Sequence, residues 1–300
     1  MSRLEQYLAY HRDSALAKDI DPAVDGLRYV CDRFELTLEQ RYWVAFLYAT
    51  CYSTTTTFFL CNEFPDFHTV DVARLERWWT RWRPHLIFQT DRRWCRSRNQ
   101  FVACVQSYQA WVGTRSQTAH FDAHRRLTPT ETYDVVFREA GAHLFTFGRF
   151  TLFLYTEMLA ELAGYPVEPS GLDLRHAESS RNGLCFATGH DALMNHHTKA
   201  RLSPSELTVL QGAFLDLRQR LVTDVGLHTS VWSIETTLCA FKKHCLGKRW
   251  VGYYIERMRR ELETMEARVP HGVCWDVLWQ FRDATYEAQY RGVSSCAALL

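Results

Sequence analysis

No apolar run in these 300 residues reaches the length needed to cross a bilayer, so a membrane-spanning helix is not expected. The N-terminus, Met-Ser-Arg-Leu-Glu-Gln-Tyr-Leu, is polar from the start and lacks the pattern of a secretory leader. Ten cysteines are present, yet none forms a Cys-x-x-Cys pair. That argues against a zinc ribbon or redox motif and for free thiols in a reducing cytosol. Excess charge of either sign is also missing. Lys plus Arg number 35 and Asp plus Glu 34, so no global field announces a polyanionic partner, although a local basic surface stays open. Alternating β-type runs joined by Asn-Gly or Asp-Gly turns are absent, as is the Gly-x-Ser-x-Gly elbow of a Ser-His-Asp hydrolase. Metal ligands are poorly spaced. His196 and His197 are adjacent and point apart on a helix, and His120 and His124 have only Asp122 nearby. No metal and no cofactor are expected.

Helix signals dominate what is present. Thr37 with Gln40 reads as a capping box opening a helix from Leu38 to about Cys61. Thr128-Pro-Thr-Glu131 and Ser203-Pro-Ser-Glu206 repeat one grammar: a hydroxyl cap, proline at the first helical position and glutamate at the third. These helices run to about His143 and Val222. Further helices are expected at residues 3–18, 22–33, 70–82, 99–112, 149–163, 230–245, 249–268 and 274–290. The fold class is therefore all-α, a compact multi-helix domain over residues 1–300. The Pro/Gly-rich stretch 164–172 is the best hinge, or else one loop inside that domain.

Several constellations could carry chemistry. Pro65 disfavours helical geometry at Phe64, so Glu63 and Asp66 mark a helix exit flanked by Phe58, Phe59, Phe64 and Phe67. Acids in such company are candidates for a general base or substrate clamp; on this motif alone, exposed acids at a capped helix end are the more ordinary reading. Residues 81–98 interleave Arg81, Arg83, Arg92, Arg93, Arg96 and Arg98 with Trp82 and Trp94, which suits a phosphate backbone and unstacked bases, or a solvated loop. Gly148-Arg149 opens a helix whose bare N–H groups make a natural phosphate seat, although glycine-led helix starts are common without one. Asp173, Glu178, Arg181 and Asn182 form a dense polar group, and a helix after Gly183 would put Cys185 in its first turns, where the dipole favours a thiolate; a structural thiol is the more ordinary reading. Glu235, Cys239, Lys242 and Lys243 fall at i, i+4, i+7 and i+8, hence on one helix face. That face reads either as a salt-bridged surface or as an anion site edged by an acid.

Taken in order, Asn-Glu-Phe-Pro-Asp-Phe (62–67), Gln-Thr-Asp-Arg-Arg-Trp (89–94), Phe-Gly-Arg-Phe-Thr-Leu-Phe-Leu-Tyr (147–155), Arg-Asn-Gly-Leu-Cys (181–185), Glu-Thr-Thr-Leu-Cys-Ala-Phe-Lys-Lys (235–243) and Gly-Lys-Arg-Trp-Val-Gly-Tyr-Tyr (247–254) form a specific set. Across residues 37–290 the chain resembles the phage α-glutamyl/putrescinyl thymine pyrophosphorylases, also described as amino acid:DNA transferases; residues 1–36 then read as an N-terminal helical extension. The resemblance implies an enzyme of the infected host's cytoplasm. It would act on DNA in which a kinase has phosphorylated or pyrophosphorylated 5-hydroxymethyluracil. The leaving group is displaced by an amino acid or a polyamine, giving an aminomethyl-linked thymine. The resemblance also implies kinship with helix-hairpin-helix DNA glycosylases: Gly148-Arg149-Phe150-Thr151 looks like the hairpin glycine and its helix, with Asp173 downstream as the aspartate. The Leu-Pro-Gly-Val-Gly hairpin itself is missing and the spacing to Asp173 is longer.

Under that reading the target nucleotide must leave the duplex, and Trp43, Trp94 and Tyr253 are the candidate stacking rings. Arg92, Arg93, Arg149, Arg181, Asn182, Lys242 and Lys243, with Gly148, are the candidates for DNA and the departing phosphate. Glu63 or Asp66 is the first choice to take the amine's proton, Asp173 or Glu235 the second. Cys185 and Cys239 are the thiols for an alternative route through covalent addition to the ring. A glycosylase-like enzyme that excises a modified thymine, and a non-catalytic DNA-binding protein, are the rival readings.

Overall fold

The computed structural model describes residues 1–96, 100–194, 202–269 and 271–290. Among them there are fourteen α-helices and no strand. In chain order these are α1 (Arg3–Leu16), α2 (Pro22–Arg33), α3 (Leu38–Cys51), α4 (Thr54–Glu63), α5 (Val72–Trp82), α6 (Gln100–Val112) and α7 (Gln117–His124). They continue with α8 (Pro129–His143), α9 (Arg149–Ala163), α10 (Glu178–Thr188), α11 (Pro204–Asp224), α12 (Val231–Cys245), α13 (Tyr253–Arg268) and α14 (Asp276–Thr285). The all-α expectation holds, and so does the capping grammar. Thr37, Thr128 and Ser203 each close a reciprocal box with Gln40, Glu131 and Glu206, with Pro129 and Pro204 in the first turn. No described helix is long and apolar enough to cross a membrane.

One expected helix breaks in two. Instead of running from Leu38 to Cys61, the chain turns left-handed at Tyr52 (φ 52°), and the Ser53 hydroxyl accepts from Thr56 N–H to start α4 afresh. The serine and threonine run 53–57 explains the break, since short hydroxyl side chains compete for backbone donors and favour a cap over helix continuation.

The chain separates into two compact units. The first comprises Met1–Pro22, Pro169–Arg257 and the chain from Thr285; the second comprises Ala23–Glu168 and Met258–Ala284. The division between Glu168 and Pro169 lies inside the Pro/Gly stretch 164–172.

In the first unit α10 and α12 pack most intimately, because Gly183 brings the α10 backbone against Leu238. A Cβ at Gly183 would lie 2.1 Å from the Leu238 carbonyl oxygen. α1 is tied to α12 by polar contacts in the core: Tyr7 Oη and His11 Nδ1 each lie 2.9 Å from Thr237 Oγ1. The His11 Nε2–H donates to the Leu227 carbonyl at 3.2 Å, which fixes the neutral tautomer, and burial pushes that imidazole down to about 4. After α1 the backbone turns left-handed at Lys18 (φ 57°) and delivers Asp19, only 2% exposed, to the start of α13. There its carboxylate accepts from the N–H groups of Gly252 (2.8 Å), Tyr254 (2.8 Å) and Ile255 (2.9 Å), capping the helix from a distant point in the sequence.

The second unit is centred on α3 against α9. Tyr42–Cys51 of α3 are all buried, as expected of a helix surrounded by others. Trp43, Phe46, Tyr108 and Phe147 stack in series, and the Trp43 indole N–H donates to the Phe64 carbonyl at 2.8 Å. Trp43 is 2% exposed and belongs to this core, which corrects its assignment as a base-stacking ring: its faces and its single donor are already used.

Two stability predictions follow from the first unit. Gly183→Ala forces a methyl into immovable backbone and is expected to cost about 3 kcal/mol or more, read as the loss of a cooperative urea transition under conditions where the wild type is folded. Asp19→Ala strips three donors of their acceptor and should cost about 2 kcal/mol or more. Asp19→Asn keeps an acceptor and isolates the charge. Burial pushes the Asp19 carboxyl up to about 7, so folding binds a proton, and the wild type loses this contribution as pH rises from 4 to 7. The Tm of Asp19→Asn relative to wild type should therefore improve across that window.

Candidate active site

The residues singled out in the sequence separate into two groups, one in each unit. The second unit holds Glu63, Asp66, Arg92, Arg93, Trp94, Gly148 and Arg149. Asp66 is half-buried, and its Oδ1 accepts from His68 N–H at 2.9 Å, capping the 3₁₀ turn Phe67–Thr69. Glu63 is half-buried at the end of α4, where its backbone carbonyl receives Arg74 Nη2 at 3.1 Å. The phenylalanines flanking these acids, Phe58, Phe59, Phe64 and Phe67, point into the core, so the acids sit on its rim.

Arg92 is 2% exposed and is spent on the fold. Its Nε donates to the Thr50 carbonyl (3.0 Å), and Nη1 to the Thr146 carbonyl (3.2 Å) and Thr151 Oγ1 (3.1 Å). That corrects its assignment to phosphate: a guanidinium this enclosed, with its donors taken, has none left for a ligand. The knot it ties is strained. Tyr52 (φ 52°), Thr90 (φ 45°) and Thr146 (φ 58°) are left-handed without being glycine; Thr146 is itself bonded to Arg92, and the other two adjoin Cys51 and Gln89, which are bonded to each other. Such strain concentrates at functional sites. Gln89 donates to Glu261 at 2.6 Å, and the same buried carboxylate receives Ser53 Oγ at 2.9 Å. On the surface of this knot lie exposed Arg93, half-buried Trp94, half-buried Arg149 and the N-terminus of α9. The cap there, Gly148, offers no side-chain bond to the first-turn N–H groups. Arg98 lies outside the described residues.

The first unit collects Asp173, Arg181, Asn182, Cys185, Glu235, Cys239, Lys242, Lys243 and Tyr253. The shared α12 face is formed as its spacing requires. The Cys239 thiol sits between the Glu235 carboxylate and the Ser179 hydroxyl of α10, with Lys243 close by. Burial, reinforced by Glu235, pushes that thiol far above its ordinary range. Tyr254 adjoins the same thiol, and Arg249 stacks 3.7 Å over the Tyr253 ring, so one face of Tyr253 is already occupied by a cation. α10 starts at Glu178, earlier than the sequence suggested. Gly183 is mid-helix, and Cys185 lies in the second half of the helix, fully buried, its thiol pushed up to about 11 by burial. The placement of Cys185 at a helix start is corrected, and its burial accords with the alternative reading of a structural thiol. Asp173 holds His176 through Nδ1 at 3.0 Å just before α10. Arg181 is buried and donates Nη1 to the carbonyls of Leu174 (3.1 Å) and Arg175 (3.3 Å).

Sequence reasoning passed over Glu261 and Asp19. No local pattern marks either, because their partners lie 208 and 233 residues away. The hydroxyl run 53–57, by contrast, could have shown the break at Tyr52. Among the described residues no group of three or more His, Cys, Asp or Glu side chains is arranged to hold a metal. Arg115 Nη2 donates to His120 Nδ1 at 3.1 Å, which leaves the ring proton on Nε2 and disqualifies that nitrogen as a ligand. His196 and His197 lie outside the described residues.

Comparison with known proteins adds two matches. A family model described as amino acid:DNA transferase matches residues 17–248. A serinyltransferase of Salmonella phage ViI is 29% identical over 265 residues, an alignment covering 82% of this chain and 63% of the phage protein, so the chain spans less than two thirds of that relative's length. No solved structure matches. The family match takes in the strained knot of the second unit, the α10 motif and the α12 face, and on that extent the chain belongs to the amino acid:DNA transferase family.

Proposed function

We propose that this chain joins the amine of an α-amino acid to the exocyclic carbon of a phosphorylated 5-hydroxymethyluracil in DNA. The amine nitrogen forms the new bond to carbon. The carbon–oxygen bond to phosphate breaks, with its electron pair leaving on phosphate, and the amine gives up one proton to a carboxylate. The phosphorylated base would be supplied by an earlier kinase, and the base would be flipped out of the duplex to be reached. The observation that carries this reading is the α12 face inside the family match: an acid, Glu235, and the ammoniums Lys242 and Lys243 on one helix, the chemistry that accepts a proton and steadies a departing phosphate. The name of the phage relative supports an amino acid as donor over a polyamine.

Glu235 is the base we assign, since it shares one face of α12 with Lys242 and Lys243. Both candidate thiols are held in the protonated form by burial, which favours direct displacement over covalent addition of a thiolate. Arg93, Trp94, Arg149 and the open α9 N-terminus supply a surface suited to DNA phosphates and a stacked base.

The test is nucleoside mass spectrometry of kinase-treated 5-hydroxymethyluracil DNA incubated with the protein and glycine, serine, glutamate or putrescine. A nucleoside equal in mass to thymidine plus one amine less two hydrogens is expected with an amino acid. An unchanged phosphorylated base with every amine refutes the reading. Within that assay, Glu235→Gln should lower kcat by about 10²- to 10⁴-fold in folded protein. The double variant Cys185→Ser, Cys239→Ser should retain turnover within a few-fold; loss of turnover with a native melting curve would reinstate the thiol route.

A further inference from the structure

We infer that Arg181 and the N-terminus of α10 form the seat for the carboxylate of the donor amino acid, a reading that rests on the transferase proposed above. Arg181 is 6% exposed and carries a permanent charge, yet among the described residues it meets no carboxylate. Its Nη1 reaches two carbonyls of the turn before α10, which places the guanidinium at the N-terminal end of its own helix, as the backward tilt of helical side chains requires. Its Nε–H is buried without an acceptor. A buried cation with an idle donor is costly unless an anion completes it.

The helix end beside it is built the same way. The cap residue Ala177 has no side chain able to accept from the first-turn N–H groups, and Glu178 and Ser179 are exposed there. Backbone donors and helix dipole thus add to the guanidinium. Contrast Arg92, equally buried, whose nitrogens are each matched to an acceptor. A carboxylate is preferred to a phosphate because of what lies next to the seat. Ser179, in the first turn of α10, contacts the Cys239 thiol, and that thiol contacts Glu235. Through Ser179 and Cys239 the first turn of α10 is thus in side-chain contact with the assigned base.

The test compares serine with ethanolamine, which keeps the amine and hydroxyl but lacks the carboxylate. Wild type should favour serine by at least about tenfold in kcat/KM, one hydrogen-bonded charge interaction being worth that much. Arg181→Gln should erase the preference by raising KM for serine, leaving ethanolamine turnover and KM for DNA within a few-fold. If the variant keeps the serine preference, or loses both donors equally while its melting curve is native, Arg181 has another role and the seat is refuted. A rise in KM for DNA alone would assign the seat to phosphate instead, overturning the proposal. Should Arg181→Gln fail to fold, Arg181→Lys replaces it, and serine but not ethanolamine should raise the Tm of wild type and not of the lysine variant. Product from ethanolamine as readily as from serine in wild type refutes the seat and spares the transferase. No product from either refutes the transferase, and the serine-induced Tm shift then decides the seat by itself.

Discussion

The contact on which the first unit depends is backbone against backbone: α10 meets α12 with only the hydrogen of Gly183 between them and Leu238. Ordinary helix pairs are held 8–10 Å apart by side chains. Removing the side chain at the crossing lets the flanking residues meet, and the Ser179–Cys239–Glu235 series exists because of that approach. The polar groups gathered there come from two helices far apart in sequence, so their register is set by one glycine rather than by any loop.

The second unit solves a different problem, how to hold irregular backbone still. Three left-handed non-glycine residues lie about one buried guanidinium, and Arg92 satisfies the Thr50 carbonyl of α3, the Thr146 carbonyl of the loop before α9 and the Thr151 hydroxyl of α9. Glu261 does the same for Ser53 and Gln89 from the opposite charge. Each works by hydrogen bonds, and directional bonds of that kind fix geometry more sharply than a Coulombic pair.

Helix boundaries were legible wherever a local code specifies them, as at Thr37, Thr128 and Ser203, because cap and partner lie three residues apart. The α12 face was legible from spacing alone, and the family from the order of short motifs. Burial was not. Trp43 and Arg92 look like ligands for nucleic acid in the sequence, since an indole and a guanidinium suit a base and a phosphate as well as they suit a stacked core and a ring of carbonyls. Cys185 was misplaced because the start of α10 carries no capping side chain to read. Glu261 and Asp19 gain their meaning only from partners in other parts of the chain, which no window of sequence contains.

The connectivity of the two units has a consequence for how the molecule comes into being. α1 is far in sequence from what it packs on: its partner Thr237 is 230 residues from Tyr7, and the Asp19 it delivers bonds Gly252. The second unit is likewise incomplete until Met258–Ala284 is made, and the boundary between the units falls inside the single helix α13. Each core therefore joins segments that lie far apart in the sequence. Contacts of such separation are slow to form, so long-range closure, rather than helix formation, sets the pace at which each core assembles.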